Sequence, residues 1–141
     1  MDISAATVRE LTENHPRIAH ALRWATLVDE AVLREWMAGL GRREAAERMA
    51  HLFCELLLRL QQVGLADEDG CDLPISQADL ADILGLTSVH VNRTLRHLRE
   101  MNLVVLKRRR LNVIDVSRLR AFCDFDPAYL HLTARRTEAL G

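Results

Sequence analysis

Gly85 separates two short stretches of helical periodicity, and few folds accommodate that arrangement. Ser76 and Asp79 stand at capping-box spacing and open a short helix to about residue 84. Thr87 caps a second helix running to about residue 101. Ala81 is small enough for the second helix to cross close by, and Gly85 supplies the backbone freedom of a tight turn. Leu80, Ile83, Leu84, Leu86, Val91, Leu95 and Leu98 form a docking face between the two helices. The spacing predicts a helix-turn-helix whose second helix turns Ser88, Val89, Asn92, Arg93 and Arg96 outward.

The period changes just beyond. Residues 103–106 and 111–114 are short leucine and β-branched runs on either side of Lys107-Arg108-Arg109-Arg110. That pattern signals a hairpin, with the turn type left open because neither Asn-Gly nor glycine is present. Ser117 is expected to cap a short helix through Phe122, and Asp126-Pro127 to begin a last turn before a polar tail.

Upstream, a long helix over about 42–63 carries Ala45, Met49, Leu52, Phe53, Leu56, Leu57 and Leu60 on one side and stops at Gly64. The acidic stretch 64–74 reads as a surface loop. An earlier helix, about 16–38, repeats Ile18, Leu22, Ala25, Val28, Val32 and Trp36 at three- and four-residue steps. Trp24, Leu27, Ala31 and Leu33 widen that stripe, and Gly39 and Gly41 are expected to end the helix. So broad an apolar face exceeds what one neighbour covers, so pairing with a second copy is expected, as in a short coiled coil. The expected architecture is mainly α with a small β-hairpin wing: a long dimerisation helix within 1–40, a winged helix-turn-helix over 41–122 and a tail over 123–141.

Charge sharpens the reading. The net charge of −1 conceals a division: residues 1–86 hold 8 basic and 15 acidic side chains, while 87–120 hold 9 basic against Glu100 and Asp115. Positive charge gathered on the second helix and the hairpin points to double-stranded DNA rather than to a merely solvated helical hairpin. The first turns of such a helix enter the major groove, so Ser88, Val89, Asn92 and Arg93 are the candidate base readers. Arg93 can donate twice to guanine O6 and N7, Asn92 can pair with adenine, and Val89 suits a thymine methyl. Gln77, Thr87, His90, Arg96, His97, Arg99, Lys107, Arg108, Arg109 and Arg110 are expected to meet phosphates.

Other classes recede. No apolar run approaches the length of a membrane span, and MDISAATVRE lacks the features of a signal peptide. Cys54, Cys71 and Cys123 form no CxxC pair and suit a reducing compartment, so a cytoplasmic location is expected. His51 and Cys54 share a helix face, but no second ligand pair is evident, and core packing is the favoured role of Cys54. The acids around Cys71 oppose a thiolate there. No catalytic triad order, phosphate-cradling glycine loop or HExxH motif is present, so no enzyme, metal or cofactor is expected. Two alternatives stay open: a protein-interaction winged-helix module, and a thiol- or metal-responsive sensor using Cys54 and His51.

The run ISQADLADILGLTSVHVNRTLRHLREMNLV, followed by LKRRRLNVID, resembles the winged helix-turn-helix of the Crp/Fnr superfamily of bacterial transcription regulators. GRREAAERMAHLFCELLLRL is similar to the helix that opens that domain, 16–38 to the family's central dimerisation helix, and FDPAYLHL to a tail of some members. The resemblance covers nearly the whole chain and is strongest over 42–116. It implies a homodimer on a palindromic site, with RNA polymerase as a further partner and no covalent chemistry. It also implies that Ser88, Val89, Asn92 and Arg93 read the half-site, Arg93 matching a recurrent guanine-reading arginine. Many members carry glutamate at or beside the position of Val89, so the usual half-site sequence is not implied. The family's N-terminal β-barrel sensor has no counterpart beyond, at most, 2–13. The expectation is a fragment beginning just before the dimerisation helix.

Overall fold

Ser4 starts the first helix: its hydroxyl accepts from the Thr7 amide at 3.1 Å. In this computed structural model, which describes residues 3–132, helix α1 (Ala5–Asn14) follows directly. Sequence periodicity does not reveal α1, because none of its residues is buried and no apolar stripe marks it. Pro16, whose ring suits a first helical turn, opens α2 (Pro16–Arg42).

Helix α2 passes through Gly39 and Gly41, contrary to the expectation that they end it. The reason lies in packing. Gly39 is buried, and a Cβ there would stand 2.8 Å from Arg43 Nη1. Here glycine makes room for a guanidinium rather than releasing the helix. Helix α3 (Ala45–Gln62) begins after Glu44, whose amide donates to the Glu47 carboxylate at 2.9 Å.

The acidic stretch after α3 is not all loop. Strand β1 (Gly70–Asp72) lies within it and pairs antiparallel with β3 (Arg110–Val113), which also pairs with β2 (Val104–Lys107). The sheet order is β1-β3-β2, so the hairpin strand β3 is central. Three residues carry too little alternation to be read as a strand, and the pairing that forms β1 is long-range. Cys71 is consequently buried against the sheet rather than exposed in a loop.

Helices α4 (Gln77–Leu84) and α5 (Ser88–Glu100) flank Gly85, which adopts φ +62°. Helix α6 (Val116–Phe122) is capped by Asp115, not Ser117: Asp115 Oδ1 accepts from the Arg118 amide at 2.9 Å. A 3-10 helix (Pro127–Leu130) follows, with Asp126 accepting from the Ala128 amide. The remainder of the expected polar tail lies outside the described residues.

Phe53 and Met49 of α3 anchor one core together with Leu80 and Leu84 of α4, Val91 and Leu98 of α5, Leu111 and Val113 of β3, and Leu119 of α6. Each such side chain contributes about 1.5–3 kcal/mol by leaving water. On α5 the buried rung between Val91 and Leu98 is Thr94, with Leu95 only half-buried, and on α4 Ile83 faces outward. The expected docking face is thus rotated slightly.

The 3-10 helix packs back onto α2 and joins a buried polar network there. Glu55, 6% exposed, accepts from Trp36 Nε1 at 3.0 Å and from the Tyr129 hydroxyl at 2.7 Å through one oxygen, and pairs with Arg59 at 2.9 Å through the other. The His51 ring stacks on Tyr129 and meets Trp36 and Phe125 edge-on. Among the described residues, no helix is long and apolar enough to cross a membrane.

Candidate nucleic-acid interface

Helix α5 is set at its N-terminus by Thr87, whose hydroxyl accepts from the His90 amide at 3.2 Å. With Val91, Thr94 and Leu98 inward, the opposite face presents Ser88, Val89, Asn92 and Arg93, all exposed, Val89 to 70%. No acidic side chain occurs between Thr87 and Arg99. The Asn92 amide donates to the Ser88 carbonyl at 3.0 Å, so it must turn away from its own helix to meet a base.

Two grooves flank the helix. One, about 200 Å³, lies between the start of α4, α5 and β2, and gathers Gln77, Asn92, Arg96 and Arg99. The other, about 620 Å³, runs between the start of α3 and α5, bringing His90, Arg93, Arg96 and His97 beside Arg48. Arg48 is a cation that sequence reasoning did not assign to this surface. Its position in the first turns of a helix directed at α5 was the available signal.

At the wing tip Arg108 and Arg109 adopt φ +51° and +61°. Two successive left-handed residues are the geometry of a type I′ turn, which matches strand twist but usually recruits Asn and Gly. Lys107, Arg108 and Arg109 are exposed there.

Other cations of the basic stretch serve the fold. Arg110, expected among the phosphate-binding residues, is held by Asp67 and by Asp72 at 3.2 Å. Those hydrogen bonds, Asp67 first, keep its guanidinium more firmly protonated than usual. Arg118 donates to the Met101 carbonyl at 3.4 Å, and Arg120 lies 6.0 Å from the Phe125 ring centre. Arg118 is nonetheless exposed, and the outward-facing cations on α5 and the wing are Arg93, Arg96, Arg99, Lys107, Arg108 and Arg109.

The His51/Cys54 pair does not converge on a common point. His51 sits in the aromatic cluster with its Nε2 3.4 Å from Glu35, and burial holds its pKa below the ordinary value. Cys54 is buried in the apolar core. Among the described residues, no group of three or more His, Cys, Asp or Glu side chains is placed to hold a metal ion. Of the stripe expected for dimerisation, Val32 and Trp36 pack on the chain's own core. Ile18, Leu22 and Ala25 are exposed and Val28 is half-buried.

A capped reading helix set across a short first helix and followed by a sheet-anchored basic hairpin defines a winged helix-turn-helix protein. Comparison with known proteins narrows the class. Residues 47–122 match the Crp-like helix-turn-helix domain. The transcriptional activator protein FnrL of Cereibacter sphaeroides is 32% identical over 114 residues, which is 78% of this chain and 46% of that protein. A probable transcriptional activator of Rhizobium leguminosarum bv. viciae is 34% identical over 105 residues, 74% of this chain and 43% of that protein. The structure of FixK2 from Bradyrhizobium japonicum is similar with a TM-score of 0.72 at 26% identity, over 85% of this chain and 59% of that one. The chain belongs to the Crp/Fnr family of DNA-binding transcription regulators. It spans a little under half the length of these curated relatives.

Proposed function

We propose that the chain reads a two-fold-symmetric duplex site as a homodimer and regulates transcription by occupying that site, without covalent chemistry. The observation that carries this reading is the exposed Ser88–Val89–Asn92–Arg93 face on a Thr87-capped helix free of acidic side chains. In this reading Arg93 and Asn92 choose bases, while Arg96, Arg99, Lys107, Arg108 and Arg109 contact phosphates and make affinity salt-sensitive. Gln77, Thr87, His90 and His97 add polar contacts along the same surface.

Residues 1–40 serve dimerisation, 41–122 reading, and 123–141 form the C-terminal tail, of which the 3-10 helix (Pro127–Leu130) buttresses α2. The outer boundary is soft, since α2 extends to Arg42. Ile18, Leu22, Leu33 and Leu40 lie near whole helical turns from one another and are 41%, 48%, 63% and 55% exposed. A second copy's α2 covers that seam in the dimer. RNA polymerase is the further partner of an activator of this kind, and the cytoplasm is where both would be met.

Selection of bound duplexes from a random pool tests the reading. Enrichment of an inverted repeat with half-sites about one helical turn apart is expected. Recovery of unselected sequence would refute sequence-specific reading.

A further inference from the structure

Only Arg43 and Glu44 separate α2 from α3. A joint that short fixes where the long helix meets the reading domain but not the angle between them. Arg43 is held on both sides, its Nη2 on Glu35 Oε1 at 2.7 Å and its Nε donating to the Cys123 carbonyl at 3.2 Å. Those bonds lie at the pivot itself, so the direction of α2 has to be set from further out.

The chain's other end supplies that support. Beyond its neighbour α1, α2 runs most extensively alongside the 3-10 helix Pro127–Leu130. Phe125 and Leu130, 8% and 4% exposed, root this segment in the core of the reading domain. Its other side bears on α2 at two levels. Near the joint, the Tyr129 hydroxyl and the Trp36 indole donate to the same oxygen of Glu55. Far from the joint, the Trp24 ring meets His131 edge-on, with centroids 5.4 Å apart. Val28 and Val32, both half-buried, fall between the tryptophans at four-residue steps on the same helix face. Twelve residues separate Trp24 from Trp36, about 18 Å of helix axis. Contacts that far apart fix a direction, which a single contact cannot do.

We propose that the segment around Tyr129 and His131 is a clamp that fixes the angle of α2 against the reading domain, and that it thereby sets the half-site spacing the dimer accepts. Tyr129 and His131 act as positioning residues, since neither belongs to the α5 and wing surface that faces the duplex. In a two-fold dimer a rotation at the joint moves both reading helices at once, each by the same amount. A changed angle therefore alters the separation of the half-sites while leaving recognition of each one intact. The spacing consequence rests on the dimeric DNA reading, whereas the clamp is a property of a single chain.

Two measurements on the full chain test this. Spin labels at Arg23→Cys on α2 and Asp82→Cys on α4, both exposed positions, report the distance between helix and reading domain. The native cysteines are buried, and dilution with unlabelled chain removes distances between protomers. One narrow distance is expected, broadening in His131→Ala and in Tyr129→Phe. The second measurement compares affinity for a single half-site with that for inverted repeats whose spacer is lengthened or shortened by single base pairs. Wild type should prefer one spacing. His131→Ala should weaken that preference by about two- to tenfold, the worth of one aromatic contact, with half-site affinity unchanged. His131 is exposed, so its replacement leaves the core intact. A distance that stays narrow in both variants would overturn the clamp. Broadening with an unchanged spacing profile, or equal losses on half-site and full site, would overturn its role in spacing. Should no duplex be enriched at all, the DNA reading fails and the label distance still decides the clamp.

Discussion

The Trp36 indole and the Glu55 carboxylate meet at 3.0 Å across the contact between α2 and α3, and the Tyr129 hydroxyl donates to the same carboxylate oxygen. One buried acid thus joins the long helix, the reading domain and the C-terminal 3-10 helix. Tyr129→Phe keeps the ring stack on His51 but removes a bond to a charged group. It should cost about 1.5–3 kcal/mol of stability, read from urea unfolding.

His51 makes stability pH-dependent. Burial, with Arg43 nearby, lowers its folded pKa, against opposing pulls from Glu35 and Glu55. The unfolded chain takes up the proton first, at about pH 6.5, so stability should be flat above that value. It should fall as pH drops from there toward the lower folded pKa. Urea midpoints of wild type and His51→Gln, compared between about pH 7.5 and 5.5, isolate the contribution, which should vanish in the variant.

Arg93→Ala should cost about 1–3 kcal/mol on the selected duplex and relax base choice at one position of each half-site. Equal losses on selected and scrambled duplexes would reassign Arg93 to a phosphate.

The wing tip is a place where fold and binding compete. Arg109→Gly removes a side chain from a left-handed position and should stabilise the protein by about 1 kcal/mol. The same change should weaken all duplexes alike and reduce the salt slope by about 1. Thermal unfolding and salt titration read the two effects separately.

Leu33→Glu places a charge on the exposed seam of α2 without touching the reading domain's core. Sedimentation should show a monomer with unchanged helicity, and affinity for a full palindrome should fall toward that for a half-site.

The helix-turn-helix was legible because its signals are local: Ser76 with Asp79, Gly85 in its turn and Thr87 at its cap all lie within a few residues of what they stabilise. The 3-10 helix after Asp126 was legible for the same reason. What was missed depends on distant partners. Strand β1 exists because β3 pairs with it, and at Gly39 the helix runs on, its carbonyl accepting from the Arg43 amide at 2.9 Å. Within the candidate interface, Arg110 looked identical to Arg108 and Arg109 until the strand carried it to Asp67 and Asp72. Cys54 shares a helix face with His51, and its place in the core follows the favoured reading of a small buried hydrophobe.

The fate of Arg110 shapes how the molecule meets a polyanion. Its charge is cancelled by Asp67 and Asp72, while Lys107, its cross-strand partner, and Arg108 and Arg109 in the turn keep theirs. The chain through residue 86 carries 15 acidic against 8 basic side chains, Asp67 and Asp72 among the acids. A chain of almost no net charge therefore still presents a group of outward-facing cations on α5 and the wing turn. Those cations are expected to steer the approach of this face to the duplex, and added salt to slow it.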